Sequence, residues 1–462
     1  MEISYLWGNF SRNAGRFFSG RPEIIYALRM DNNTIKVGIT HGDFNGIGYE
    51  VILKMLDDPR MLELCTPVIY GSAKIAAFYR KGIELQQPQQ LCQIADAADA
   101  KAGSCNIVNV IGEEARIEPG HSTDEAGKAA FAALERAVAD LREGKIDALV
   151  TAPINKHNIQ SELFHFPGHT EYLEASAADG SKALMILCNE SVRVALVTTH
   201  LPVAKVAGAV TKEAVLEKLR LFDRSLTEDF GVHKPRIAVL ALNPHSGDNG
   251  LIGSEEQQTI IPAIEQAQKE KIHAFGPYAA DGFFGSGLFK RFDGVLAMYH
   301  DQGLAPFKAI AMDDGVNFTA GLPWVRTSPD HGTGYDIAGQ DKASEASIRS
   351  ALYMALDVLR NRRNHAEATA NPLKPQTAEK PSKGSADRQR ADRGKGKGKE
   401  AKEEPKTESA KEKECAEAVE AASPAPAAVE TAPAAEATAA PAPTEAPAIV
   451  ETTPSAEPTS QE

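Results

Sequence analysis

Long apolar runs are missing from this chain. None is long enough to cross a bilayer, which excludes a helical membrane protein. Cysteine is sparse: Cys65, Cys92, Cys105, Cys188 and Cys415 are odd in number and match no zinc-binding spacing. That excludes a disulfide framework and leads us to expect a reducing, cytoplasmic setting. Excess positive charge is also absent. The net charge is −13, which argues against a general nucleic-acid binder. One basic cluster, Arg388 to Lys402, is interleaved with Gly and Ala and reads as a solvated linker. The first residues carry aromatics with Arg12, Arg16, Arg21 and Arg29, but no apolar stretch of the kind a secretory signal needs. There is no internal repeat, and no Gly-x-Gly-x-x-Gly fingerprint follows the first strand.

Large apolar residues almost vanish after Asn364, where Ala, Pro, Glu, Lys, Thr and Ser dominate. Such a segment cannot bury enough surface to offset its ordering entropy, so residues 364–462 are expected to be disordered. Residues 1–33 are expected to be a poorly ordered extension. Met30 stands just ahead of the first clear strand, and translation is expected to begin there.

Between these ends, strand and helix patterns alternate. Ile35 to Thr40, Val68 to Tyr70, Ile107 to Val110, Ala148 to Thr151, Val192 to Val197, Ile237 to Leu242 and Gly294 to Met298 read as strands. A further strand is expected just before Asn317. Helical patterns run Gly46 to Leu56, Thr211 to Leu226, Ser254 to Lys269 and Asp341 to Arg362. Ser122-Thr123-Asp124-Glu125 is a capping box that opens another helix, with Phe131, Leu134, Val138 and Leu141 on one face and Gly144 at its end. The alternation predicts an α/β fold, a mostly parallel sheet with helices on both faces and ligands at the strands' carboxyl ends.

Polar motifs follow several of these strands. His200, His245 and His300 each sit in a short turn-like context after a buried strand. Three imidazoles at three strand ends are what an open divalent-metal site on an α/β scaffold needs, although any one of them is more often a packed or exposed ring. His169 and Thr170 fall at a helix start, where backbone N–H groups and a hydroxyl can hold an anion, or merely cap the helix. Lys308, Asn317 and Arg326 lie in a polar stretch suited to phosphate. The Gly-rich turn from Thr40 to Gly48 either lets amides approach an anion or simply closes tightly.

In order, the blocks GITHGD, TAPINK, GHTEYL, TTHLP, LNPHSGDNG, MYHDQGL and GVNFTAGLPWVRTSPDHGT closely resemble the 4-hydroxythreonine-4-phosphate dehydrogenases, the PdxA family, over about Ile35 to Leu359. The resemblance implies a two-lobed α/β/α fold like that of isocitrate and isopropylmalate dehydrogenases. Within residues 34–363, lobe 1 would combine about 34–150 with 320–363, and lobe 2 would be about 151–319. It further implies a homodimer with active sites at the subunit interface, NAD or NADP as cofactor, and one divalent ion (Zn, Co, Mn or Mg) on His200, His245 and His300. A small phosphorylated amino-acid substrate would meet His169, Thr170, Lys308, Asn317 and Arg326.

The implied reaction oxidises 4-phosphooxy-L-threonine to 2-amino-3-oxo-4-phosphooxybutanoate, which loses CO2 to give 3-amino-2-oxopropyl phosphate in vitamin B6 synthesis. Asp281 and Asp301 are candidates for the base, and Asp301 is alternatively an orienter of an imidazole. A paralogous D-threonate or D-erythronate 4-phosphate dehydrogenase is the alternative. The opening turn departs from the family's Gly-Asp-Pro-Ala-Gly-Ile-Gly-Pro-Glu: Phe44 and Asn45 replace Pro-Ala, and Tyr49 replaces the second proline.

Overall fold

The computed structural model describes residues 35–372, except 113 and 178. The expectations for residues 1–33 and for nearly all of 364–462 therefore lie outside the described residues. Twelve strands form one sheet: β1 (Lys36–Thr40), β2 (Thr66–Gly71), β3 (Leu91–Ile94), β4 (Cys105–Asn109), β5 (Ala148–Thr151), β6 (Leu184–Cys188), β7 (Arg193–Leu196), β8 (Arg236–Leu240), β9 (His273–Tyr278), β10 (Gly294–Ala297), β11 (Val316–Ala320) and β12 (Val325–Pro329). Their order is β3-β4-β2-β1-β5-β12-β11-β6-β7-β10-β8-β9.

The first six strands are mutually parallel. β11 runs antiparallel to both β12 and β6, and β6 runs antiparallel to β7. Beyond that seam β7, β10, β8 and β9 are again parallel. The sheet is thus two parallel blocks of opposite sense joined by β11 and β6. The central strands are buried on both faces, so they read as continuous apolar runs, such as Leu184 to Cys188.

Helices cover both faces. α1 (Gly48–Leu56) and the long α7 (Ala346–Thr369) pack on one face of the first block through Val51, Met55, Leu352 and Leu356. α2 (Asp124–Arg142) lies on the other, where Ala130, Leu134, Ala137 and Leu141 meet Val68, Tyr70 and Leu149. In the second block α4 (Lys212–Glu228) and α5 (Ile261–Lys269) share the first face, while α6 (His300–Ala311) takes the other. α3 (His169–Ala177) follows the loop after β5. Among the described residues no helix is long and apolar enough to cross a membrane.

Several local expectations need correction. Thr123, not Ser122, caps α2: its Oγ1 accepts the Ala126 N–H at 3.2 Å. Gly144 does end that region, in the left-handed conformation only glycine adopts cheaply. Asn317 lies within β11 rather than after a strand. α7 begins at Ala346, not Asp341, and continues through Thr369, past Arg362. The Ser254 to Lys269 pattern is a π turn, Glu256–Ile260, running into α5.

His41 closes β1 and is fully buried, stacked on Tyr49 with ring centroids 5.3 Å apart. Burial pushes its pKa down to about 4. The unfolded state takes up its proton near 6.5, so the buried neutral ring stabilises the fold fully above that pH. The contribution, up to about 3 kcal/mol, is lost as pH falls from 6.5 towards 4. His169 and His331, also shifted down by burial, act in the same direction. Urea midpoints measured between pH 7 and 4.5 should fall less steeply for His41→Phe than for the wild type. Parallel profiles would remove His41 as a source of the pH dependence.

Candidate active site

β7, β10 and β8 are consecutive, parallel neighbours, so their carboxyl ends open on one edge of the sheet. Those ends lead into His200, His300 and His245 respectively. His300 is the first residue of α6, after Tyr299. Its Nδ1 lies 2.7 Å from Asp301 Oδ1. The His200 and His300 rings stand 6.0 Å apart and line a cavity of about 220 Å³ with Thr199, Leu201 and Tyr299.

His200 is held from both sides. Its Nε2 is 3.3 Å from the Lys156 ammonium, and its Nδ1 is 3.3 Å from Glu171 Oε1. A lysine ammonium only donates, so Nε2 must accept and Nδ1 must carry the proton given to Glu171. Burial works to raise the Glu171 pKa, but the hydrogen bond from His200 and the charge of Lys156 outweigh it and hold the carboxyl below its usual range. The result is a neutral imidazole, oriented by a carboxylate, whose Nε2 lone pair already faces a cation. That donor chemistry fits a divalent ion.

His245 stands apart from this pair. It is exposed, on the segment Pro244–Gly250, where residues from His245 to Asn249 all have positive φ. Four of them are not glycine, each at a cost of about 1–2 kcal/mol. Among the described residues, no group of three or more His, Cys, Asp or Glu side chains stands close enough to hold a metal ion.

Arg326 on β12 is 2% exposed. Its Nε and Nη2 donate to Thr151 Oγ1 on β5 at 3.1 and 2.6 Å, and Nη1 donates to Thr319 Oγ1 on β11 at 3.1 Å. Among the described residues no carboxylate reaches it at ion-pair distance, and burial brings its pKa down to about 9 against a smaller opposing pull from the Glu171 carboxylate. His169, the first residue of α3, has a buried Nε2 without a hydrogen-bond partner. Burial, with the charges of Arg326 and Lys156, keeps that ring neutral. Thr170 follows it, half-buried. Asn317 lies two residues before Thr319, on the same face of β11, and its Oδ1 is buried and unpartnered. Arg326, without a paired carboxylate and beside an imidazole that can donate, is a setting for an anion, whereas Asn317 Oδ1, an acceptor, can meet only a donor group of a ligand.

Lys308 is engaged elsewhere, 3.3 Å from Asp330 Oδ1, whose carboxyl burial raises despite that partner. Asp281 is exposed on the short helix Ala280–Gly285 after β9. Asp301 is committed to His300. Lys156, Glu171, Thr151 and Thr319 were not assigned from the sequence. Lys156 and Glu171 lie inside the TAPINK and GHTEYL blocks, and only their contacts with His200 single them out.

Residues 63–355 match the family described as "Pyridoxal phosphate biosynthetic protein PdxA". A 4-hydroxythreonine-4-phosphate dehydrogenase of Bacteroides thetaiotaomicron is 58% identical over 351 residues, covering 76% of this chain and 96% of the relative. A crystal structure of the Klebsiella pneumoniae 4-hydroxythreonine-4-phosphate dehydrogenase has a TM-score of 0.62 at 32% identity, covering 71% of this chain and 99% of that one. One from Burkholderia phymatum has a TM-score of 0.59 at 35% identity, covering 71% and 99%. This chain belongs to the PdxA family. It is a dehydrogenase, and the sites around His200 and Arg326 both lie within the matched residues.

The turn that departs from the PdxA pattern keeps its backbone for itself. The N–H groups of Asp43, Gly46 and Ile47 donate to Pro153 O, Asp43 O and Thr333 O, and Asn45 N–H donates to Asp43 Oδ1. These amides are not free for an anion. A Cβ on Gly48 would collide with the His41 carbonyl, so close packing explains this glycine. Phe44 is fully buried with Tyr49, Leu53 and Tyr79, and the Tyr79 hydroxyl donates to Phe44 O at 2.7 Å. Apolar packing thus takes the place of the missing prolines. Asp43 Oδ2 accepts from Asn158 Nδ2 and the Tyr335 hydroxyl, both at 2.7 Å, tying this turn to the loops after β5 and β12.

If the unpaired Arg326 is an anion site, inorganic phosphate should raise the melting temperature of the wild type by mass action. Arg326→Met should abolish that rise. An equal rise in the variant would put the anion elsewhere.

Proposed function

We propose that the protein oxidises 4-phosphooxy-L-threonine with NAD⁺ or NADP⁺ to 2-amino-3-oxo-4-phosphooxybutanoate. This β-keto acid then loses CO2 to give 3-amino-2-oxopropyl phosphate. The observation that carries the reading is α3. It presents His169 to the buried Arg326 at one end of the site and Glu171 to His200 at the other. A phosphate end and an imidazole end are thereby joined by one rigid element, the layout a small phosphorylated alcohol requires.

In this reading Arg326, His169, Thr170 and Asn317 hold the phosphate, joined by Lys308 when it exchanges Asp330 for the anion. His200, His245 and His300 are the metal ligands. His200 and His300 come from one subunit, and His245 is supplied by a second copy in a homodimer. Exposed Leu201 and Val203 flank His200, and exposed Leu251 and Ile252 follow His245, so both ligand sites are bordered by apolar surface that a second copy would cover. A divalent ion held there (Zn, Co, Mn or Mg) would supply Lewis acidity, and NAD⁺ or NADP⁺, when bound, would supply the hydride acceptor. The substrate hydroxyl must also lose a proton. Asp281 and Asp301 are the candidate carboxylates to accept it, Asp301 also holding His300 Nδ1. We place the protein in the cytoplasm.

Nicotinamide reduction followed with 4-phosphooxy-L-threonine, its dephosphorylated form and D-erythronate and D-threonate 4-phosphates tests this reading. The first substrate should react fastest, and chelator should abolish turnover. Arg326→Met should lower kcat/KM for the phosphorylated alcohol by about 10–100-fold, the worth of a charge-assisted contact of roughly 1.5–3 kcal/mol, and spare the dephosphorylated one. Preference for a D-threonate or D-erythronate phosphate, or turnover unaffected by chelator, would overturn it.

A further inference from the structure

Glu256 is 1% exposed, and among the described ion pairs no cation neutralises it. Its carboxylate is satisfied by N–H groups alone. Oε1 accepts the backbone N–H of Leu242 and of Asn243, both at 2.8 Å, and Oε2 accepts Asn243 Nδ2 at 3.0 Å. Leu242 and Asn243 lie just past the end of β8, where the strand ladder no longer supplies acceptors. The left-handed segment Pro244–Gly250 starts immediately after them.

That segment is wound as a left-handed 3-10 turn with short-range bonds of its own. Leu251 N–H donates to Asp248 O and Ile252 N–H to Gly247 O, both at 3.1 Å, and Ser246 Oγ donates to Pro277 O at 3.3 Å. Yet it holds four non-glycine residues at φ between 41° and 55°. Such a conformation persists only where the surroundings over-determine it. The carboxylate lies flush against the segment: a Cβ on Gly247 would stand 2.6 Å from Glu256 Oε2. Glu256 itself begins the π turn Glu256–Ile260, which is anchored in the core by the fully buried Ile260 and leads into α5. A fixed helix therefore grips, through one carboxylate, both the end of β8 and the turn beyond it.

We propose that Glu256 is a positioning residue that locks this left-handed turn and so aims the His245 imidazole. The consequence for metal binding rests on the reading of His245 as a ligand. Glu256→Gln keeps the volume but sets an NH2 group against a donor, so one of the three bonds is lost or reversed. Hydrogen exchange of the full chain, read peptide by peptide, should then show residues 244–253 exchanging at least about tenfold faster while the global urea midpoint stays close to the wild type. Co²⁺ titration of metal-stripped protein should show affinity falling about 10–100-fold, the usual effect of losing an outer-shell partner. His245→Ala should lower Co²⁺ affinity at least as far.

Unchanged exchange across 244–253 in Glu256→Gln would overturn the proposal, whatever the metal does. Unchanged Co²⁺ affinity in His245→Ala would instead remove His245 from the ligand set, and the exchange data would still decide the role of Glu256. Should Glu256→Gln fail to fold, Asn243→Ala removes the donor to Oε2. It should accelerate exchange in the same segment, and a wild-type pattern there would overturn the proposal equally.

Discussion

Arg326 reaches across three strands. From β12 its guanidinium donates to Thr151 on β5 and to Thr319 on β11, which places it at the seam where the first parallel block meets the reversed strands. Burying a cation with only hydroxyl partners is expensive, and its depressed pKa records the cost. The burial makes sense when the unfilled partner is an anion, and the neighbouring His169 Nε2, buried and unpartnered, is placed to donate to it.

The imidazole end follows a different logic. His200 and His300 each have a carboxylate at Nδ1, Glu171 and Asp301, which fixes the orientation of each ring before any ligand arrives. β7, β10 and β8 share one carboxyl edge because they are parallel neighbours, and the loop after β5 and helix α3 bring Lys156, His169 and Glu171 to it. Preorganisation of this kind reduces what binding must do at the moment of reaction.

Much of this was legible in the sequence. The β-branched runs of β1 and β5 and the heptad-like face of α2 are period signals that burial enforces, and they fell where the patterns put them. β6 and β12 were not read as strands. Leu184 to Cys188 has no alternation because both faces are buried, and Val325–Pro329 carries an arginine and a proline, which local propensity assigns to a loop. The reversal at the seam has no local signature at all, since it depends on which strands pair. The candidate site residues came one by one from motifs, without their contacts. Glu171 and Lys156 gain meaning only from their 3.3 Å approaches to His200, and Glu256 from the backbone it holds fourteen residues away at Leu242.

The central claim is that His200 and His300 of one copy and His245 of a second hold one divalent ion. Metal content of a mixed dimer tests it most directly. His200→Ala and His245→Ala chains would each lose metal alone. In a dimer of one His200→Ala and one His245→Ala chain, one site would lack both ligands and the other would have both. The account predicts that this mixed dimer regains one bound ion per two chains, together with turnover at that site. Homodimers of either single variant that keep full metal, or a mixed dimer that stays empty, would contradict it.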